Sequence, residues 1–512
     1  MLTFLKKVSS LKALTFAACI AGAALEAFAA PVYTVRFFSP GVKASQALRF
    51  SSSTGGGLQT IPFIDTVEES VSPPALFTVQ NTSPFNVVFA ATPFTVAAPF
   101  VLASTTCSGT LLPTASCTIS LSFLPTRYGK VTGNYLTINT TSATVNAPPL
   151  SAKGKSLPVI AVVTNGYSTF IQKTNNKWYG GGLNYSGELG LPAATDTSVF
   201  NIVPGLSGAV EVAFSTFSAI ARMGDGSIKT TGYNSSGQLG LNDTIDRTVF
   251  TAVPGMSGIV KVVTGYDKFY VQNSSGTWYA TGNNVVGSLG VPYSGDAQTT
   301  FITGPNFSGV TTVVANFGNV FLKSSAGWKS LGINTYGILG LGDFTQRTTA
   351  TTIPTTTVLP GADIFVGFRG AIAKQNNGAF AYAGGFFKGE LGTGSTVFPK
   401  STFTPFTSMA NASIVLTDPD SEESLVMLPS GDWYGAGLNT NGVLCLGDTN
   451  QRITLTSIPS LKPATKIVKG GGMTFAIMPG GVLYACGDNN NGGAAGSGAP
   501  YTTLTTLTPV FP

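Results

Sequence analysis

The densest run of ionisable side chains in the chain is Asp418-Pro-Asp420-Ser-Glu422-Glu423, four carboxylates within six residues. Oxygen-rich segments of this kind could ligate calcium. The run has neither the glycine nor the spacing of an EF-hand loop. It also breaks the rhythm of the sequence around it, so the reading is a solvated insertion. Histidine is absent from all 512 residues. That removes the usual general base near neutral pH, a common zinc ligand and every Ser-His-Asp or Cys-His arrangement. The glycine pairs are followed by no Lys-Ser or Lys-Thr and open no helix, so none is a phosphate loop. No catalytic, cofactor-binding or metal-binding residue is expected, and no cofactor.

The elements around the acidic run come from a repeat. Seven times the chain writes a phrase close to G-x-N-x-x-G-x-L, as in Gly182-Leu-Asn-Tyr-Ser-Gly-Glu-Leu189 and Gly332-Ile-Asn-Thr-Tyr-Gly-Ile-Leu339. The second glycines are Gly187, Gly237, Gly287, Gly337, Gly389, Gly442 and Gly492, spaced by 50, 50, 50, 52, 53 and 50 residues. A period near fifty with β-branched and aromatic segments between turns predicts a propeller of seven four-stranded blades. In the third repeat, Gly258–Gly265 alternates as one strand, Phe269–Gln272 as the next and Thr277–Ala280 as a third. Gly282 marks a point where no Cβ fits, and the Asn of the signature caps its own turn. Trp178, Trp278, Trp328 and Trp433 recur at one repeat position, which predicts core packing. The two ends of the repeat region hold complementary half-repeats, Val159–Val163 and Thr506–Val510. The expectation drawn from them is a blade shared between the termini, closed by pairing those two strands.

Residues 1–30 read as a signal peptide: Lys6, Lys7 and Lys12, then the apolar stretch 13–25, then Ala27-Phe28-Ala29-Ala30 before Pro31. The apolar stretch is too short to span a bilayer, and no other segment is long enough for a membrane-spanning helix. Loss of three lysines and one glutamate with the leader lowers the formal charge from +6 to +4. Charged residues are only 10% of the chain, and the mature part has no Lys/Arg run, which disfavours nucleic acid as a partner. Of five cysteines, Cys19 leaves with the leader. Cys445 and Cys486, in neighbouring repeats, could pair if the fold brings their Cα atoms within about 6 Å.

Residues 31–155 lack the repeat. Short alternating segments such as Cys117–Phe123 and Asn134–Ile138, separated by Pro, Gly and Ser, predict an antiparallel immunoglobulin-like β-sandwich. Here Cys107-Ser-Gly-Thr-Leu-Leu-Pro-Thr-Ala-Ser-Cys117 with Gly133-Asn-Tyr-Leu-Thr-Ile138 resembles the choice-of-anchor D modules of exported bacterial proteins. The resemblance implies a disulfide between Cys107 and Cys117. Residues 156–512, with Leu-Gly-Asp343 and Arg347, Leu-Gly-Asp448 and Arg452, and Asp243 with Arg247, resemble the propellers of the regulator of chromosome condensation family. The family's recurrent histidine is replaced by Ser168, Ser218, Lys268, Gly318, Gly370, Glu423 and Met473, and its exchange activity is not carried over.

The fold class expected is thus all-β, an immunoglobulin-like sandwich followed by a seven-bladed propeller. The function expected is an exported, non-catalytic recognition or scaffold protein whose loops meet a protein or glycan partner. The alternatives are a secreted carboxylate-dependent glycan hydrolase or lyase and a structural appendage or phage-related receptor-binding component. The sequence leaves open the ligand, the binding face and the oligomeric state.

Overall fold

The structure, a computed structural model, describes residues 32–37, 48–52, 61–63, 66–67, 70–72, 74–81, 84–125, 129–141, 144–146, 150–287, 289–291, 297–316, 318–418, 422–490, 494–496 and 502–510. The expected leader, Cys19 and Gly492 lie outside them. The described chain is built of strands with no α-helix, and it divides into two compact units, Met1–Ser156 and Leu157–Pro512.

In the second unit, seven four-stranded antiparallel sheets follow one another at 159–202, 209–252, 259–302, 310–352, 363–406, 414–457 and 466–509. Blade 1 comprises Val159–Thr164, Ser168–Lys173, Trp178–Gly182 and Thr197–Ile202, each paired with the next. The first strands of successive blades touch around a closed ring, which includes blade 7 against blade 1. They therefore surround the propeller axis. Second strands carry nearly continuous burial, as in Ser168–Lys173 and Lys268–Asn273, because both of their faces meet neighbouring blades.

The signature holds blade to blade. Gly282 has φ +109°, and a Cβ there would lie 2.2 Å from the Asp267 carbonyl oxygen, so only glycine fits. Asn334, fully enclosed, accepts from the Leu339 amide at 3.0 Å and donates to the Asp343 carbonyl at 2.9 Å. Asp343 in turn binds Arg347 at 2.6 Å, and the same knot recurs at Asp243–Arg247 and Asp448–Arg452. The second glycine meets the following blade: a Cβ on Gly187 would lie 2.4 Å from Thr248 Cα. The tryptophans do the same, since Trp178, Trp278 and Trp328 are buried and donate from Nε1 to the carbonyls of Ala209, Val310 and Ala362, each at or beside the start of the next blade.

Ring closure differs from the expectation. Val159–Thr164 pairs with Ser168–Lys173 inside blade 1, and Thr503–Pro509 pairs with Leu483–Asp488 inside blade 7. No strand is exchanged, because a first strand at one end and an outer strand at the other simply complete two separate blades. Side chains close the ring instead. A Cβ on Gly496 of blade 7 would lie 2.1 Å from the Phe200 ring of blade 1, as one on Gly190 would lie 2.5 Å from Phe250. One apolar cluster contains Val159 and Ile171 with Phe475 and Leu483.

The first unit has a five-stranded sheet in the order Leu48–Ser52, Val32–Phe37, Ala75–Gln80, Ser116–Phe123, Phe100–Thr105, with two smaller sheets. Phe77, Ile119 and Phe123 from the large sheet share one core with Leu136, Ile138 and Leu150 from the others. The sheet is mixed rather than purely antiparallel: Val32–Phe37 runs parallel to Ala75–Gln80. The connection between them is long enough to permit a parallel crossover.

Candidate functional site

In every blade the loop after the first strand meets the signature loop after the third. The amides of Leu183, Tyr233, Asn283, Ile333, Gly385, Leu438 and Asp488 donate to the carbonyls of Tyr167, Phe217, Asp267, Gly318, Arg369, Glu422 and Gly472. At the opening of the second strand, Ser168 Oγ donates to the Leu183 carbonyl at 2.8 Å. In blade 4 the equivalent position is Asn319, not Gly318 as expected from sequence, since Asn319 pairs with Gly332 as Ser168 pairs with Gly182, and it donates to the Ile333 carbonyl. Both loop sets therefore form one face of the disc, positioned by a rigid sheet.

That face carries aromatic side chains in two groups. Over blades 1 and 2, Phe217 lies 6.1 Å from the Tyr167 ring and 5.9 Å from that of Tyr185, which is 62% exposed. Over blades 4 and 5, the Arg369 guanidinium sits 4.7 Å from Phe368, 5.6 Å from Tyr336 and 5.8 Å from Phe387. Tyr336 and Phe368 are exposed. Rings held this way expose apolar area around a cation that attracts their faces.

The acidic run reaches the same face, and its described residues do not form the solvated insertion expected from sequence. Asp418 and Glu423 are buried. Glu423 pairs with Lys469, Glu422 pairs with Arg369, and Asp418 accepts from the Gly471 amide at 3.0 Å. Residues 419–421 lie outside the described chain. The loop turns inward because blades 5 and 7 supply a cation each, so charges that would resist burial alone are paired.

Two cavities flank the Lys469–Glu423 pair. One, of about 220 Å3, lies over blades 6 and 7 and is lined by Tyr167, Phe368, Glu422, Glu423, Asn441 and Asp488 among others. Another, of about 190 Å3, lies where the first strands end, with Thr216, Tyr266, Asp418 and Lys469 in its wall. A third, mostly apolar and about 340 Å3, is bounded by Ile333, Tyr336, Ile338, Phe368 and Arg369. Three carboxylates thus line one cavity, but two of them are held in ion pairs.

Several buried ionisable groups stand in the signature and first loops. Burial raises Glu188 and Glu390 to about 7, against the amides of Ser186 and Lys388 that donate to them. Burial lowers the Lys268 ammonium to about 8, opposed by the Asp267 carboxylate, itself raised to about 6 by burial. Gln238 occupies the place of Glu188 in the next repeat and accepts the equivalent amide at 3.1 Å, so these carboxyls cap turns.

Cys107 and Cys117 are joined in the first unit, with Cα atoms 5.0 Å apart. Cys445 and Cys486 are joined at 5.5 Å, linking blade 6 to blade 7. Among the described residues no group of three or more Cys, Asp and Glu could hold a metal ion, and no helix is long and apolar enough to cross a membrane. Sequence reading missed Tyr185, Tyr336, Phe368, Arg369, Lys469 and Asp488. Its available signal was the lengthened spacing of 52 and 53 residues, which falls at blades 5 and 6 beside this cluster.

No protein-family model matches the chain. Among solved structures, yeast RCC1 (Prp20), crystallised bound to Kap60, is similar at 16% identity and TM-score 0.52, covering 61% of this chain and 78% of that one. Human WBSCR16 is similar at 15% identity and TM-score 0.52, covering 64% and 89%. At this identity the likeness concerns fold, and in fold the second unit, Leu157–Pro512, is an RCC1-type propeller of seven blades.

Proposed function

We propose that the chain is an exported, non-catalytic recognition protein: residues 31–155 form an immunoglobulin-like module of the choice-of-anchor D type, and the propeller presents its loop face to a protein or glycan partner. The observation that carries this reading is the exposed aromatic set of Tyr185, Tyr336 and Phe368 on loops fixed by a rigid disc. Apolar rings displayed on a scaffold are characteristic of binding surfaces. Yeast RCC1, similar in fold, was crystallised with Kap60 bound, which supports a partner-binding role. The leader-like residues 1–30 and the two disulfides support export to an oxidising compartment.

The test is binding of the exported protein to intact cells of the producing culture and to glycan extracted from their surface. Changing Tyr185, Tyr336 and Phe368 together to Ser should abolish it, and undiminished binding would sink the assignment of this face. N-terminal sequencing of the exported product should begin at or near Pro31; a chain starting at Met1 would refute export through this leader.

A second reading, carboxylate-dependent glycan cleavage, has one observation in its favour: Glu422, Glu423 and Asp488 line one cavity. It requires turnover of a glycan that stops in Asp488→Asn. The ion pairs on Glu422 and Glu423 weigh against it, since Arg369 and Lys469 already engage both carboxylates.

A further inference from the structure

We infer that the cavity between Tyr167 and Phe368, over blades 6 and 7, is a subsite for one ring of a neutral saccharide; this rests on the recognition reading above and names its ligand class. Tyr167 and Phe368 line it together with Leu438 and Val443, and Glu422, Glu423, Thr440, Asn441 and Asp488 supply polar groups. Glu422 is neutralised by Arg369 and Glu423 by Lys469, so both present acceptor oxygens without a free charge. Asp488 accepts from Asn441 Nδ2 at 3.1 Å and from the Asn490 amide at 2.9 Å. Thr440 and Asn441 add uncharged groups that both donate and accept.

This mixture selects the ligand. An anion would meet three carboxylates. A cation would find two of those already paired and the third already accepting from Asn441 and Asn490, and could not accept from the Thr440 hydroxyl. A sugar hydroxyl donates and accepts at once, and the apolar face of the ring covers an aromatic wall. At about 220 Å3 the cavity falls below the roughly 300–1,000 Å3 of pockets that enclose a drug-sized molecule, which suits a single ring at a chain end.

The site is also built in advance. Cys445 and Cys486 staple blade 6 to blade 7, and Cys486 Sγ lies 3.5 Å from the carbonyl of Val443, a lining residue. Lys469 and Glu423, the latter a lining residue, tie the same two blades. Both devices remove loop freedom before a ligand arrives, which lowers the cost of binding.

The experiment is an array and titration on the full mature chain, with neutral oligosaccharides ending in hexose or N-acetylhexosamine, and oligolysine and polyglucuronate as charged comparisons. Saturable binding of a neutral oligosaccharide is expected, weakened about tenfold or more in Phe368→Ala and in Asn441→Ala at unchanged melting temperature. Phe398→Ala, at an 82% exposed site on the outer strand of blade 5, should bind as the parent does. If no neutral oligosaccharide binds at about 1 mM, or oligolysine binds instead, the saccharide assignment is overturned. Cell-surface binding that still depends on Tyr185 and Tyr336 would then leave the recognition reading standing, and its absence would remove both.

Discussion

Lys469 Nζ lies 2.5 Å from Glu423 Oε1, and the two side chains are 1% and 2% exposed. Lys469 stands one residue before the end of the first strand of blade 7, and Glu423 opens the second strand of blade 6. The pair is therefore a charged contact between blades, at a position where blades 1 and 2 hold Ser168 and Ser218. Its Coulomb attraction roughly offsets desolvation of both ions, so its value to the fold shows only when one partner is removed.

Lys469→Met should destabilise the propeller by about 3 to 5 kcal/mol, since it leaves a buried carboxylate without its cation. Adding Glu423→Leu should recover most of the loss. Urea unfolding of the single and double variants measures both, and a single variant that unfolds with the parent would show that Glu423 has another means of support.

Stability should fall as pH rises across the window set by Glu188 and Glu390. Each carboxyl moves from 4.5 in the unfolded chain to about 7 in the fold, so the folded state holds more protons between those values. The stabilising contribution is complete below about pH 4.5 and is lost by about pH 7. Glu188→Gln, which copies Gln238, should remove its share of this slope and raise stability at pH 8 by up to about 3 kcal/mol. Parallel pH curves for parent and variant would contradict the burial of that carboxyl.

Removing the Cys445–Cys486 staple should cost at most about 4 kcal/mol, the chain-entropy value for a closed loop of this length. Cys445 has φ +56°, a conformation that disfavours a Cβ, so Cys445→Gly with Cys486→Ala should lose about 1 kcal/mol less than Cys445→Ser with Cys486→Ala. Thermal melts of both double variants read the difference. Peptide mapping without reductant should recover Cys445 with Cys486 and Cys107 with Cys117.

Trp278→Ala should cost about 3 to 5 kcal/mol, for an emptied space and an unpaired Val310 carbonyl. Trp278→Phe keeps most of the volume and should cost less. If the two cost the same, the hydrogen bond to the next blade would account for the whole effect.

Closure by packing makes Gly471 critical. It has φ +50°, and a Cβ would lie 1.9 Å from the Asn165 carbonyl oxygen of blade 1. Gly471→Val should split blade 7 from blade 1, seen as faster amide exchange in Ser168–Lys173 and Met473–Ile477. Gly480→Ala is the comparison: it also has positive φ, but nothing stands within 4 Å, so it should cost only about 1 kcal/mol.

The number of blades and the alternating strands of a repeat were legible because the constraints behind them are local. Gly282 must be glycine for its own φ, Asn334 satisfies groups within its own loop, and alternation marks each strand over a few residues. The fate of the acidic run was not legible. Asp418, Glu422 and Glu423 resemble a solvated loop until the fold places Lys469 and Arg369, each about fifty residues away, beside them. The same holds for the aromatic set, since Tyr336, Phe368 and Phe387 are spread over fifty residues and meet only around Arg369. Closure went wrong in the same way: two half-repeats show which strands they are, while whether they pair depends on how seven blades fill a circle. The sequence by itself determined the repeating unit, through backbone conformation and period. The tertiary structure alone decided the ring, the buried charges and the loop face, because each is a contact between blades that no single repeat encodes.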